Sequence, residues 1–106
     1  MVGFGKIMEM GKKLQERVKV LQEELENMEI SVSSRNGMVT ATVNGQGSIR
    51  SIEIEKQLIE QSEKELIENL VLEAISKAQE KANKISRKKM KKITGRLPFP
   101  LPGLGL

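Results

Sequence analysis

In residues 29–54 the chain reads EISVSSRNGMVTATVNGQGSIRSIEI, three short runs of alternating side chains separated by two turns that contain glycine. Alternation of apolar and polar residues is typical of a strand with one buried face. Asn36-Gly37 predicts a two-residue type I′ hairpin, because both of its central positions need a positive φ. With this loop the two strands pair in one register, in which Ile30 faces Val43 and Val32 faces Ala41.

The second turn lies in the segment Asn44-Gly45-Gln46-Gly47. If all four residues form the loop, Val43 faces Ser48 and Val39 faces Ile52. A three-residue loop would instead turn the third strand's isoleucines to the opposite face, because side chains alternate with a period of two. The four-residue loop is therefore our prediction, and it gives a three-stranded antiparallel meander. Its one apolar face comprises Ile30, Val32, Val39, Ala41, Val43, Ile52 and Ile54.

The residues before the sheet predict a long helix from Gly5 to Met28. From Leu14 onward its apolar residues recur at intervals of 4, 3, 4 and 3, which is the a/d seam of a coiled coil. Such a helix extends for about 36 Å, whereas strands of about 20 Å cover only part of it. We therefore predict a homodimer with its interface along this seam, at Leu14, Val18, Leu21, Leu25 and Met28.

A second long helix is predicted after a connector at residues 56–61. Ser62-Glu63-Lys64-Glu65 has the pattern of a capping box, and the helix is expected to run to Thr94, with Gly95 ending it. Beyond Ile85 we expect this helix to project into water, because only two apolar residues follow it. Its apolar stripe consists of Ile67, Val71, Ala74, Ala78, Ala82 and Ile85, flanked by Leu70 and Ile75.

The last segment, residues 96–106, is apolar but interrupted by prolines and glycines. It can form neither a helix nor a central strand. Its composition favours disorder, with docking on a partner as the alternative. The sequence thus predicts one α+β domain over residues 1–95, an α-β-β-β-α protomer, and a Pro/Gly-rich tail.

The composition excludes several classes of protein. Cysteine, histidine and aspartate are absent, so the chain lacks disulfides, thiolates, the commonest metal ligand and the commonest general base. It has no glycine motif that follows a strand and cradles phosphate. We therefore predict no enzymatic activity, no metal or other cofactor and no small-molecule substrate. The absence of a long apolar run and of a signal peptide predicts a cytoplasmic protein without membrane contact.

Charge is divided unevenly along the chain. Residues 1–80 carry a net charge of −4, whereas residues 81–106 carry 8 Lys and Arg and no acidic residue. Lysines at intervals of 4, 3, 4 and 3 place a stripe along one face of the second helix, where like charges repel one another. This arrangement favours a polyanionic partner. The predicted contacts are Lys77, Lys81, Lys84, Arg87, Lys88, Lys89, Lys91, Lys92 and Arg96.

The residues that neighbour these lysines indicate whether the nucleic acid is single-stranded or double-stranded. No aromatic residue accompanies the lysines, so stacking of single-stranded bases has no support. Phosphate contacts on duplex DNA fit better. Lys12, Lys13 and Arg17 of the first helix alternate with glutamates, which favours a solvated flank and makes them second candidates.

Several segments in this order resemble the YbaB/EbfC family of nucleoid-associated proteins. They are the opening at 3–10, Leu25-Glu26-Asn27-Met28-Glu29-Ile30, Gly37-Met38-Val39, Asn44-Gly45, Ile52-Glu53-Ile54, Leu70-Val71 with Ala74 and Ala78, Met90, Leu97-Pro98 and Pro102-Gly103. Glu55-Lys56 departs from the family's frequent Asp-Pro step, and the run from Lys88 to Lys92 is more basic than usual. The resemblance implies a homodimer, sequence-tolerant DNA binding and a role in nucleoid organisation or gene expression.

Two other functions remain open at this point. A prefoldin-like coiled-coil chaperone subunit also combines two long helices with β-hairpins, but its helices pair out to their tips. An anionic membrane-surface binder could use the basic helix together with the Leu/Phe tail, although that tail cannot form an amphipathic helix.

Overall fold

The computed structural model describes residues 3–95, which measure 70 × 20 × 16 Å. The elements follow the predicted α-β-β-β-α order with one short helix added before the last. They are α1 (Phe4–Asn27), β1 (Ile30–Ser33), β2 (Val39–Val43), β3 (Ile49–Ile54), α2 (Lys56–Gln61) and α3 (Lys64–Thr94). The prediction for the tail at 96–106 lies outside the described residues.

The three strands form an antiparallel sheet in the order β1-β2-β3. The register of the first hairpin is confirmed, with Ile30 opposite Val43 and Val32 opposite Ala41. The apolar face of the sheet packs on α3, and Val39, Ala41 and Val43 are fully buried there. The other face carries hydroxyl pairs, Ser31 with Thr42 at 2.7 Å and Ser33 with Thr40 at 2.8 Å.

The predicted type I′ turn is wrong, although its register is right. Gly37 has a φ of 75°, but Asn36 does not have the positive φ that this turn type needs. The loop is wider and closes with a bond from the Ser34 amide to the Val39 carbonyl at 2.8 Å. The Asn36 side chain stabilises it, because Oδ1 accepts the amide of Met38 at 3.0 Å and thus replaces a backbone partner.

The predicted register of the second hairpin is wrong by two residues, since Val39 lies opposite Ile54 rather than Ile52. The side chain of Asn44 accepts the amide of Ser48 and holds that residue inside the loop. A bulge between Thr42 and Val43 takes up the other residue. Because a shift of two preserves alternation, Ile52 and Ile54 remain on the predicted apolar face.

The predicted connector is a helix, α2, which buries Leu58 at 2% exposure. Ser62 is the C-cap of this helix and donates its amide to the Leu58 carbonyl at 3.0 Å. The predicted capping box is therefore wrong, and Glu63 takes the N-cap of α3 without a side-chain capping bond. The predicted end of α3 at Thr94 is confirmed.

The buried side of α3 winds around the helix rather than following a straight stripe. Its members recur every fourth residue, and each such step rotates the contact by about 40° in a 3.6-residue helix. The first half of α3 faces the sheet, and the second half lies beside α1 along Lys89, Lys92 and Ile93. The stripe consists of Leu70, Ala74, Ala78, Ala82 and Thr94, with Ser86 and Met90 partly buried.

The position of α1 overturns the expectation that α3 projects into water beyond Ile85. Lys89 and Ile93 lie beside α1. The two helices are antiparallel, because Glu24 meets Lys89 whereas the earlier Lys13 shares a groove with the later Ile93. The end of α3 is therefore supported by the second half of α1.

Candidate nucleic-acid interface

The predicted lysine stripe lies on one exposed face of α3. Lys77, Lys81, Lys84, Lys88 and Lys91 are all exposed. Over the second half of the helix, Ile93 lies beside α1 and is about half a turn away from Lys84, Lys88 and Lys91. The lysines thus point away from the body of the chain.

Acidic partners neutralise only part of the basic surface. Lys77 bonds to Glu73 at 2.7 Å, and Lys84 lies 3.7 Å from Glu80. Among the described residues of α3 from Lys81 onward, the other exposed cations have no carboxylate within 4.0 Å. This uncompensated cluster is Lys81, Arg87, Lys88, Lys91 and Lys92.

Lys77 belongs to a network at the sheet-proximal end of the stripe. Glu73 also accepts the amide of Arg35 at 3.1 Å and lies 3.6 Å from its guanidinium. The hydrogen bond from Lys77 lowers the pKa of Glu73 below its ordinary value. The amide of Arg35 and both positive charges act in the same direction, against a smaller rise from burial. Glu73 therefore ties the first hairpin to α3 and occupies Lys77.

Lys89 differs from its neighbours in the run from Arg87 to Lys92. Its Nζ lies 2.7 Å from Oε1 of Glu24, and its side chain is only 35% exposed. This pair links the two long helices. Of the predicted DNA contacts, Lys89 is the one that the structure places inside the α1–α3 contact, and Arg96 lies outside the described residues.

A groove of about 480 Å³ lies between α1 and α3. Lys13 and Arg17 line one side of it, and Lys92 lines the other. The groove has an apolar floor that includes Leu21 and Ile93. The sequence favoured a solvated flank for Lys13 and Arg17, because they alternate with glutamates. Their position across a groove from Lys92 depends on the packing of α1 beside α3.

A model of the YbaB/EbfC DNA-binding family matches residues 1–97, which include all of the helices and strands. The chain belongs to the YbaB/EbfC family. It is 36% identical over 106 residues to a nucleoid-associated protein of Rhodospirillum rubrum, an alignment that covers 100% of this chain and 98% of that one. It is 35% identical over 100 residues to a nucleoid-associated protein of Brucella ovis, covering 94% and 92%.

The fold of this YbaB/EbfC chain is also similar to a crystal structure. An uncharacterized protein from Helicobacter pylori superposes with a TM-score of 0.61 at 19% sequence identity. The similarity covers 73% of this chain and 89% of that one. It concerns the α-β-β-β-α architecture alone.

In this family member the seam of α1 has two parts with different surroundings. Leu21 and Leu25 are 4% and 3% exposed because α3 and the second turn cover them within the chain. Leu14, Val18 and Met28 are only partly buried. The first part of the seam therefore retains exposed apolar surface, whereas Leu21 and Leu25 pack inside the chain.

Residues 3–95 contain neither a membrane-spanning helix nor an acidic metal cluster. None of the helices there is long and apolar enough to cross a membrane. That same part of the chain brings together no group of three acidic side chains that could hold a metal ion.

Proposed function

We propose that this protein binds duplex DNA, largely without sequence specificity, through the lysine face of α3. The observation that carries the proposal is the uncompensated cluster, five exposed cations within residues 81–92. Cations crowded on one face repel one another, and an array of phosphates relieves that repulsion. The predicted contacts Lys77, Lys84 and Arg96 are retained as secondary members, whereas Lys89 is proposed to hold α1 against α3, because its Nζ is engaged by Glu24.

The dimensions of the lysine face suit a duplex. From Lys77 to Lys91 the helix advances by about 21 Å, and a duplex presents about one phosphate charge per 1.7 Å of its axis. Phe4, the one aromatic residue of the described chain, lies on the other long helix. Neighbouring phosphates therefore supply the binding energy, and base stacking has no platform on α3.

We further propose a homodimer that acts at the nucleoid, in the cytoplasm, and organises DNA or modulates gene expression. The names of the relatives in Rhodospirillum rubrum and Brucella ovis support the nucleoid role. The partly buried Leu14 and Val18, with the exposed Ile7 and Phe4 continuing their seam, support a partner along α1. Apolar surface of this extent is typical of an interface.

A titration of several unrelated duplexes at two salt concentrations tests the proposal. If a dimer contacts six to ten phosphates, its affinity falls by roughly 10³ to 10⁵ between about 50 and 200 mM salt, because each contact releases counterions. All duplexes should respond alike. Binding to one sequence only, or binding that is insensitive to salt, would refute the proposal.

One observation favours the prefoldin-like alternative. The first turns of α1 expose Phe4, Ile7, Met8 and Met10, which could contact an unfolded client. That function predicts suppression of aggregation of a denatured test protein at stoichiometric ratio. The chaperone function would be favoured if the wild-type protein did not bind DNA and if aggregation were still suppressed after the lysine face had been neutralised.

A further inference from the structure

The end of α1 is held by the turn between β2 and β3. Asn44 is 1% exposed, and its Oδ1 accepts the amides of Gln46 at 2.9 Å and Ser48 at 3.0 Å. Its Nδ2 donates to the carbonyl oxygen of Glu26 at 3.3 Å. One buried side chain thus shapes the turn and binds the end of the helix.

Gly45 makes the closest contact in this region. Its amide donates to the carbonyl oxygen of Leu25 at 2.7 Å. A Cβ at position 45 would lie 2.7 Å from Cδ2 and 2.9 Å from Cα of Leu25. Helix ends leave their last four carbonyls without the usual helical partners. Here the turn supplies a partner for the carbonyl of Glu26 and a second donor for that of Leu25, which also accepts the amide of Met28 at 3.2 Å. We call Asn44 and Gly45 with Leu25 and Glu26 the joint.

The joint is placed where a small rotation has a large effect. Lys13 lies about 18 Å along α1 from Leu25, so a rotation of about 10° at the joint moves Lys13 by about 3 Å. A displacement of this size is comparable to the length of a hydrogen bond. Within one chain the first turns of α1 are exposed, so contacts inside the chain do little to oppose such a rotation.

We infer that Asn44 and Gly45 are positioning residues for DNA binding. They fix the direction of α1 and thereby hold Lys13 and Arg17 across the groove from Lys92, where these two residues add phosphate contacts to those of the lysine face. Neither Asn44 nor Gly45 touches DNA in this scheme. The inference rests on the proposed function, because the direction of α1 affects affinity only if DNA is the ligand.

The distance between the helices can be measured directly. The chain has no cysteine, so Gln15→Cys and Ser76→Cys give one spin-labelled pair between α1 and α3, diluted with unlabelled chain to isolate single protomers. Gly45→Ala forces Leu25 to move, whereas Gly47→Ala strains the same turn at a φ of 87° with open space around its Cβ. Only Gly45→Ala should shift or broaden the distance distribution.

DNA affinity is measured on the same variants, where circular dichroism shows that each is folded. Gly45→Ala should lose about tenfold in affinity, equivalent to about one charge-assisted contact. Gly47→Ala should bind as wild type does. Because a merely structural role would affect both glycines alike, the difference between them is the diagnostic result.

A second pair of variants covers a failure of Gly45→Ala to fold. Asn44→Asp keeps the oxygen that accepts the amides of the turn but loses the nitrogen that donates to Glu26. The control is Asn36→Asp in the first turn, where the side-chain oxygen accepts from Ser34 and Met38 and no donor to α1 is lost. Asn44→Asp alone should move α1 and weaken DNA binding.

Unchanged distances in the folded Asn44 and Gly45 variants would overturn the inference, as would a displaced α1 with wild-type affinity. A wild-type chain that does not bind duplex DNA would refute the proposed function and, with it, the role of Asn44 and Gly45 in DNA binding. The spin-label distances in those samples would still decide whether the joint sets the direction of α1.

Discussion

Nζ of Lys89 and Oε1 of Glu24 lie 2.7 Å apart, which joins two helices whose paired residues are 65 positions apart in the chain. The adjacent Lys88 is exposed and belongs to the uncompensated cluster. Two neighbouring lysines therefore have different roles, one in the contact between α1 and α3 and one on the proposed DNA surface.

Lys88→Gln and Lys89→Gln should separate stability from DNA binding. Lys89→Gln should lower the free energy of unfolding by about 0.5 kcal/mol, because the pair is partly exposed to solvent. Lys88→Gln should leave stability unchanged and weaken DNA binding. Urea denaturation and fluorescence anisotropy measure the two effects, and the opposite assignment would contradict the structure.

Replacing Lys84, Lys88 and Lys91 together with Gln should weaken binding to every duplex about equally and flatten the salt dependence. Thermal stability should stay the same or rise slightly, since like-charge repulsion is removed. The control replaces Lys56 in α2 and Lys64 at the start of α3, which are exposed lysines that pair with glutamates. If the triple variant binds as well as wild type, Lys13 and Arg17 become the leading candidates.

Glu73 should make stability depend on pH. Its pKa is lowered in the folded chain, so its contribution to stability is present above its unfolded pKa and is lost as the pH falls through the folded pKa. Glu73→Gln should therefore be destabilising at neutral pH, and its difference from wild type should shrink in acid. Urea denaturation across this range measures it, and a difference that is constant with pH would exclude this role.

Gly45→Ala should lower the free energy of unfolding by about 1–3 kcal/mol, because its Cβ overlaps Leu25 in a close-packed region. Gln46→Ala should be nearly silent, since its side chain makes one exposed bond of 3.3 Å to the Gln22 carbonyl. Thermal denaturation compares the two. Equal effects would show that the contact between the turn and α1 is looser than the structure describes.

The proposed homodimer can be tested by comparing Val18→Asp with Leu21→Asp. Val18 is only partly buried in the protomer, so its replacement should mainly lower the apparent mass in sedimentation equilibrium. Leu21 is buried within the chain, so its replacement should mainly lower stability. A folded wild-type monomer at micromolar concentration would rule out the homodimer.

Local patterns were sufficient for much of the fold. The heptad intervals of α1, the end of α3 at Thr94 and the register of the first hairpin all depend on residues close in sequence. The pairing of Ile30 with Val43 followed from the position of Asn36-Gly37, even though the turn type was wrong. The lysine face was likewise predictable, because helical periodicity alone places those side chains together.

Tertiary structure decided the features that join distant segments. The second hairpin is shifted by two residues because Asn44 both shapes its loop and binds the end of α1. Lys89 is drawn into the contact between the helices because α1 packs beside the second half of α3 and places Oε1 of Glu24 at 2.7 Å from its Nζ. Sequence spacing sets which residues share a face, whereas packing between α1, the turn and α3 determines what that face contacts.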